Sequence, residues 1–234
     1  MKTYLVTGGS SGIGLGLVKQ LLKAGHRVIN IDKVTPKDPL TGHYHFVHGD
    51  LGRLDRLDEM FDRARAHTRL IDGLILNASE AASVSFETLT LDTLSRALDV
   101  NVKASVMLAK AYAMQYLGEQ GRIVFLSSTR AFMSEPDTLP YACSKGAIEA
   151  MTHNLAISLA KYHITVNAVA PGWIDTGQHA IRSLDHTFHP SQRVGHVEDV
   201  VRAIIFLLDE QNGFINGETL VIDGGVTKKM IYPE

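Results

Sequence analysis

The chain has 234 residues, 45% hydrophobic and 21% charged, with a formal net charge of −2 at pH 7, a length that suits one α/β domain with a substantial buried core. No basic block or stripe appears, which argues against a nucleic-acid partner, and the doublet Lys228-Lys229 reads as solvated surface. A single cysteine, Cys143, excludes an intramolecular disulfide framework and fits a reducing compartment. No run is apolar for long enough to span a membrane, and the apolar residues after Met1-Lys2 meet glycines too soon for a signal-peptide core. A soluble cytoplasmic protein is the expectation.

Short apolar runs alternate with longer helical periods, the pattern of βαβ units on a parallel sheet. Tyr4, Leu5 and Val6 form a buried first strand. Ile13, Leu17, Val18, Leu21 and Leu22 mark a helical stripe over 13–23, and Gly25 stops it. A second strand over 27–31 ends at Asp32, and a loop with two prolines follows over 35–42. Next come a strand at 44–47, a charged helix at 54–66 and a fourth strand at 70–76. Two long helices, 91–117 and 140–161, flank a strand at 122–126. A strand at 164–169, a helix at 197–208 and a strand at 220–222 complete the series. With no repeat or linker, residues 1–234 are expected to form a single domain: a Rossmann-like, doubly wound parallel sheet in three α/β/α layers.

Thr7-Gly8-Gly9-Ser10-Ser11-Gly12-Ile13-Gly14 lies between the first strand and the first helix. Glycines there let the backbone approach a pyrophosphate, and the helix N-terminus offers free N–H groups to the anion. The spacing departs from the common G-x-G-x-x-G fingerprint. Asp32, roughly twenty residues further on, stands where an acid hydrogen-bonds the adenosine ribose hydroxyls. Its charge repels a 2′-phosphate and so favours NAD(H) over NADP(H), although Lys33 beside it blunts that repulsion. The alternatives for these residues are a plain turn and a strand-end acid.

Tyr141 and Lys145, in Tyr141-Ala142-Cys143-Ser144-Lys145, lie one turn apart on one helix face. An ammonium near a phenol lowers its pKa towards a useful range for acid/base work. Ser127-Ser128 ends an apolar strand upstream, placing a hydroxyl at the carboxyl edge of the sheet, where open α/β folds bind ligands. Asn101 is an odd residue to bury inside a long apolar helix without a polar role.

With these residues in view, the chain resembles a short-chain dehydrogenase/reductase of the single-domain kind from end to end. The matching elements, in order, are Thr7-Gly8 to Gly14, Asp50, Asn77-Ala78, Asn101, Ser128, Tyr141 with Lys145, Pro171-Gly172 and Asp223-Gly224-Gly225. The resemblance implies that Tyr141 exchanges the hydroxyl proton, Lys145 binds the nicotinamide ribose and Ser128 holds the substrate oxygen. It implies that Asn101 orders a water linking Lys145 to solvent. Gly8, Ser10, Ser11, Gly12, Ile13 and Gly14 would cradle the cofactor phosphates. Asp50 with Leu51 would border the adenine, Asn77 and Ala78 would line the cofactor, and Pro171, Gly172, Ile174 and Thr176 would border the nicotinamide. Two departures from the family pattern are Leu76, where an asparagine is usual, and Ser79, where a glycine is usual; they bear on cofactor geometry. Asn-Ala-Ser also occurs in the related pteridine reductases, but those carry an arginine in the glycine loop, which this chain lacks.

Cys143 points away from the Tyr141/Lys145 face and reads as packing. His186 and His189 have no nearby paired acids or cysteines at ligand spacing, so no metal site is expected. Arg130 is a candidate for pairing with a substrate carboxylate or phosphate, or for a salt bridge with Glu135 or a neighbouring subunit. Trp173 and Gln178 are further pocket candidates. Residues 178–193, with His179, Arg182, His186 and His189, correspond to the variable segment that caps the pocket in this family and point to a small or polar substrate. The long helices carry apolar surface beyond what one sheet face needs, and a homotetramer is expected, with a homodimer as the alternative. The rival functions are an NADPH-dependent carbonyl, pteridine or ketoacyl reductase, a non-catalytic NAD(H)-binding sensor, and a sugar-nucleotide epimerase or dehydratase, whose usual length exceeds this chain.

Overall fold

The computed structural model describes residues 1–81, 83–116, 120–178 and 180–230. Seven parallel strands form the main sheet: β1 (Thr3–Thr7), β2 (Arg27–Asp32), β3 (Tyr44–His48), β4 (Gly73–Leu76), β5 (Gly121–Leu126), β6 (Ile164–Pro171) and, last in the chain, β9 (Thr219–Ile222). Their order is β3-β2-β1-β4-β5-β6-β9, while β7 (Ile174–Asp175) and β8 (Gly195–His196) form a separate two-stranded pair. The alternation of side chains along β1 separates two cores. Tyr4 and Val6 join α1 (Gly12–Lys23) and α7 (Val197–Leu208) on one face, while Leu5 joins α2 (Leu57–Arg65), α4 (Ala104–Gln115) and α5 (Leu139–Ser158) on the other. With both faces covered, the middle strands read as continuous apolar runs. Among the described residues no helix is long and apolar enough to cross a membrane.

Several boundaries differ from the sequence expectation. The fourth strand begins at Gly73 rather than at 70, because Asp72 makes a turn: its carboxylate accepts the Thr3 N–H at 2.7 Å and its own N–H donates to the Thr3 carbonyl at 2.7 Å. The 91–117 segment is not one regular helix. α3 (Leu91–Leu98) passes into a wider π turn over Asp99–Lys103 before α4 starts, and Leu117 lies outside the described residues. The 140–161 helix ends at Ser158, and a 3-10 turn over Ala160–Tyr162 leads to His163 in the left-handed region (φ 56°). The π turn matters because Asn101 sits in it, buried, and such turns re-aim side chains out of the helical register.

β1 is hydrogen-bonded to β2 on one side and β4 on the other, so the chain leaves the centre of the sheet in both directions. A crevice opens above the carboxyl ends of β1 and β4, the point at which open α/β sheets hold ligands. The glycine loop closes tightly over it. A Cβ on Gly14 would lie 2.5 Å from Asn77 Nδ2 and closer still to the Gly8 carbonyl oxygen. Gly14→Ala is therefore expected to destabilise the protein by about 1–3 kcal/mol through overpacking against backbone. Equilibrium urea unfolding reads this directly, and an unchanged midpoint would mean that the loop has room to relax.

Candidate active site

The crevice encloses about 300 Å³, bounded by the glycine loop, Asp32, Asp50, Asn77 and Thr176. Its floor is a clasp between two strand ends. Asn77 Nδ2 donates to the carbonyls of Thr7 (3.0 Å) and Gly8 (2.9 Å), and Thr7 Oγ1 accepts the N–H groups of Asn77 and Ala78, both at 3.1 Å. Gly8 has φ +68°, and a Cβ there would meet Ala78 Cα at 2.8 Å, so the loop is pressed against β4. Ser11 begins α1 without a side-chain cap, leaving the first-turn N–H groups and the positive end of the helix dipole facing the crevice. This is a cradle for a phosphate-bearing ligand.

The second strand organises one end of the crevice. Asp32 accepts the Ser10 N–H at 3.0 Å and the Val34 N–H at 3.2 Å. Asn30, fully buried, accepts the Gly9 N–H at 2.8 Å and donates to Ser10 Oγ and to the Tyr44 hydroxyl, each at 3.0 Å. Asp50 accepts Arg96 NH2 on both oxygens (3.0 and 3.1 Å) and the Gly52 N–H at 2.9 Å. Burial pushes the Asp50 carboxyl up, but the Gly52 N–H and the Arg96 guanidinium outweigh it and hold the group below its ordinary value. Glu80 joins the same rim, 3.7 Å from Arg96 Nε and 3.8 Å from Lys33 Nζ.

The chemical end lies where α5 crosses the tip of β5. Pro140 occupies the first turn of α5, where its missing N–H costs nothing. Tyr141 follows it, and Lys145 comes one turn later. The Lys145 side chain is almost wholly enclosed, at 2% exposure; its Nζ donates to the Leu126 carbonyl at 2.6 Å and lies 5.2 Å from the Tyr141 ring centroid. Burial lowers its pKa to about 7. Burial also pushes the Tyr141 phenol up, opposed by the neighbouring Ser128 hydroxyl and by the Arg130 charge. In this geometry the ammonium lies over the ring and bonds to backbone, so the phenol stays above its ordinary value rather than below it. Asn101 is held on both sides of its amide: Oδ1 accepts the Glu80 N–H at 2.7 Å, and Nδ2 donates to the Glu80 carbonyl (3.0 Å) and Ser144 Oγ (2.8 Å).

A family model described as enoyl-(acyl carrier protein) reductase matches residues 8–227. An uncharacterized oxidoreductase of Thermotoga maritima is 34% identical over 252 residues, covering 100% of this chain and 98% of the relative. The solved structure of an apo SCOR enzyme from Clostridium thermocellum matches with a TM-score of 0.90 at 34% identity, over 99% of this chain and 95% of that one. 4-Hydroxyisoleucine dehydrogenase complexed with NADH matches with a TM-score of 0.91 at 26% identity, over 98% and 100% of the two chains. This chain belongs to the short-chain dehydrogenase/reductase family. It is an oxidoreductase of the class that moves hydride between a nicotinamide cofactor and an alcohol or carbonyl.

Within this member of the family, Gly8, Ser11, Gly12, Ile13, Gly14, Asp32, Asp50, Leu51, Asn77, Ala78 and Thr176 all border the crevice. Ser10 instead turns its hydroxyl inward, to the Val34 carbonyl at 2.6 Å. Ile174 borders a second hollow, with Trp173 and Asp223. Trp173 is 43% exposed, so it is not a core residue, and its ring centroid lies 6.3 Å from that of His189. Gln178 is exposed, and His179 lies outside the described residues. His186 and His189 serve the 178–193 segment: His186 Nδ1 accepts the Val194 N–H at 3.2 Å, and His189 Nδ1 lies 3.2 Å from the Asp185 carbonyl. That segment is fastened to the Asp223-Gly224-Gly225 turn through the Ser191 N–H and the Gly224 carbonyl, at 3.0 Å. Cys143 is exposed, away from the site.

Four residues escaped the sequence reading. Asn30, Glu80 and Arg96 are singled out only by contacts between elements distant in the chain. Glu149 accepts Ser127 Oγ at 2.5 Å and Thr219 Oγ1 at 2.6 Å, tying α5 to the strand tip that carries Ser128. Its signal was present, an acid four residues after Lys145 on the same helix face.

The Lys145 environment yields a stability test. Its folded pKa of about 7 lies below the ordinary 10.5, so the unfolded chain holds the extra proton between those values. Stability therefore rises with pH across that window, by an amount on the order of a few kcal/mol. The raised Tyr141 pKa, starting from 10.0, opposes this only above pH 10. Urea midpoints at pH 7 and about pH 9.5 should separate further for the native protein than for Lys145→Met; equal separations would show that the Lys145 ammonium is solvated in the folded state.

Proposed function

We propose that the chain is an NAD(H)-dependent dehydrogenase or reductase acting on a small alcohol or carbonyl compound, with Tyr141 as the proton-transfer residue. The observation that carries this reading is the convergence of Ser128, Tyr141 and the enclosed Lys145 where α5 crosses the tip of β5. The residues fit a dinucleotide: Gly8, Gly9 and Gly14 leave no room for a Cβ, the start of α1 has no side-chain cap, and two carboxylates, Asp32 and Asp50, border the crevice. Residues 1–234 act as one cofactor-binding and catalytic unit, working in the cytoplasm, with 178–193 capping the substrate.

When bound, the nicotinamide supplies the hydride donor or acceptor. Ser128 Oγ holds the substrate oxygen and stabilises charge developing on it. Tyr141, protonated at neutral pH because burial disfavours its phenolate, donates its proton to a carbonyl oxygen during reduction. In the oxidative direction it must accept the substrate hydroxyl proton, which requires a nearby positive charge. Lys145 supplies that charge when protonated, and its pKa of about 7 leaves its charge state open to small changes around it. Asn101, braced by Glu80 and Ser144, fixes the start of α4 beside α5. Asp32 presents negative charge at the ribose end and disfavours a 2′-phosphate. Lys33 is drawn toward Glu80, which lessens its ability to offset that charge.

Met107 and Met114 on α4 and Ile157 on α5 are exposed apolar side chains, and they support assembly of these helices into a homotetramer, or a homodimer. Light scattering at micromolar concentration should give an oligomeric mass, and a monomeric mass would refute the assembly.

Purified protein is expected to bind NADH more tightly than NADPH, and Asp32→Ser should narrow the difference. Across a panel of small alcohols and ketones, Tyr141→Phe should lower kcat by about 10²–10⁴-fold with cofactor binding retained. NADH binding with no turnover of any panel member would instead favour the sensor reading. A marked NADPH preference would overturn the role given to Asp32.

A further inference from the structure

Arg130 stands two residues after Ser128, on the 3-10 turn Thr129–Ala131 that packs against α5. Its main-chain N–H donates to Ser128 Oγ at 3.2 Å, so the turn that carries the arginine also orients the serine. The guanidinium belongs to a side chain only 25% exposed, whereas its ion-pair partner, Glu135, is 69% exposed. This asymmetry is informative. A largely covered guanidinium requires an anion, yet this anion hangs from the solvent side and gives little net stability by staying. The Arg130 charge also reaches the reacting group, because it pulls the Tyr141 phenol towards lower pKa against the effect of burial. A carboxylate arriving from solvent would find a planar donor fork, with Ser128 and Tyr141 alongside it.

We propose that the substrate is a hydroxy acid or the corresponding oxo acid, whose carboxylate displaces Glu135 from Arg130 while its hydroxyl or carbonyl oxygen lies between Ser128 and Tyr141. The carboxylate is a handle, and no bond to it changes. Glu135 acts as an internal stand-in that keeps the guanidinium paired when substrate is absent. A neutral alcohol of the same size gains nothing from Arg130 and leaves the Glu135 pair in place. The inference rests on the assignment of Ser128 and Tyr141 to the reacting oxygen.

The test uses the full-length protein with NAD⁺ and pairs of 2-, 3- and 4-hydroxy acids and their amides, which differ in charge but hardly in size. The native protein should favour acid over amide by about 100-fold in kcat/KM, the scale of a desolvated charge pair. Arg130→Ala should collapse that ratio towards unity, Arg130→Lys should keep part of it, and Glu135→Gln should lower KM for the acids by removing the competitor. Acids and amides turned over alike, with turnover still lost in Tyr141→Phe, would overturn the proposal and leave the Tyr141 assignment standing. An acid preference that survives Arg130→Ala would overturn it too, because the anion receptor would then lie elsewhere. Turnover that persists in Tyr141→Phe would strike the assignment itself. If no pair is turned over, binding of succinate against succinamide to the NADH-loaded protein decides: a succinate preference lost in Arg130→Ala supports the proposal, and equal binding overturns it.

Discussion

The clasp between Thr7 and Asn77 is the contact on which the site depends. It joins the carboxyl ends of β1 and β4, the paired strands at which the strand order reverses direction, and adds a side-chain amide and a side-chain hydroxyl beyond the last ladder bonds. Because Asn77 occupies the Thr7 and Gly8 carbonyls from below, the glycine loop must turn upward, and Gly8 adopts positive φ to do so. Asn30 and Asp32 hold the same loop from the side, through the Gly9 and Ser10 N–H groups. With its inner polar groups bonded to the fold, the loop presents the free start of α1 to the crevice, where an anion is the natural partner.

Burial sets the electrostatics at the other end. Lys145 is enclosed with a backbone carbonyl as its hydrogen-bond partner, so its ammonium is costly and its charge state responds to small changes around it. Tyr141 is covered by the same packing, which favours its neutral form. The two shifts favour the neutral forms of both side chains, and both arise from α5 lying across the tip of β5. Glu149 fastens that crossing through Ser127 and Thr219, so the position of Ser128 depends on a carboxylate two turns further along the helix.

Charge pairing on the rim is graded by exposure. Asp50 and Arg96 form a two-pronged pair at the margin of the crevice, with Glu80 bridging towards Lys33. Arg130 and Glu135 form a pair whose members differ sharply in exposure. In the first group Arg96 and Glu80 each bridge two ions; the second is a single link beside Ser128 and Tyr141. That difference sets the Arg130 pair apart as the exchangeable one.

Local patterns in the chain were enough to reveal the fold class and the glycine loop, and to single out Asn101, Ser128, Tyr141 and Lys145 as candidates. Strand and helix periods repeat over short windows, and Tyr141 and Lys145 stand one helical turn apart in the sequence itself, so these features need no knowledge of distant contacts. The roles of Asn30, Arg96 and Glu149 were hidden because their partners lie 14 or more residues away and meet them only when strands are paired and helices docked. The π turn at Asn101 was hidden for a related reason: one extra residue in a helical turn leaves the apolar period nearly intact while re-aiming the side chain. The directions of the Tyr141 and Lys145 shifts likewise depend on burial, a property of the packed molecule. A pair at i and i+4 on an exposed helix keeps its charged forms hydrated by water; enclosed against β5, the same pair loses that hydration, and desolvation sets the direction of both shifts.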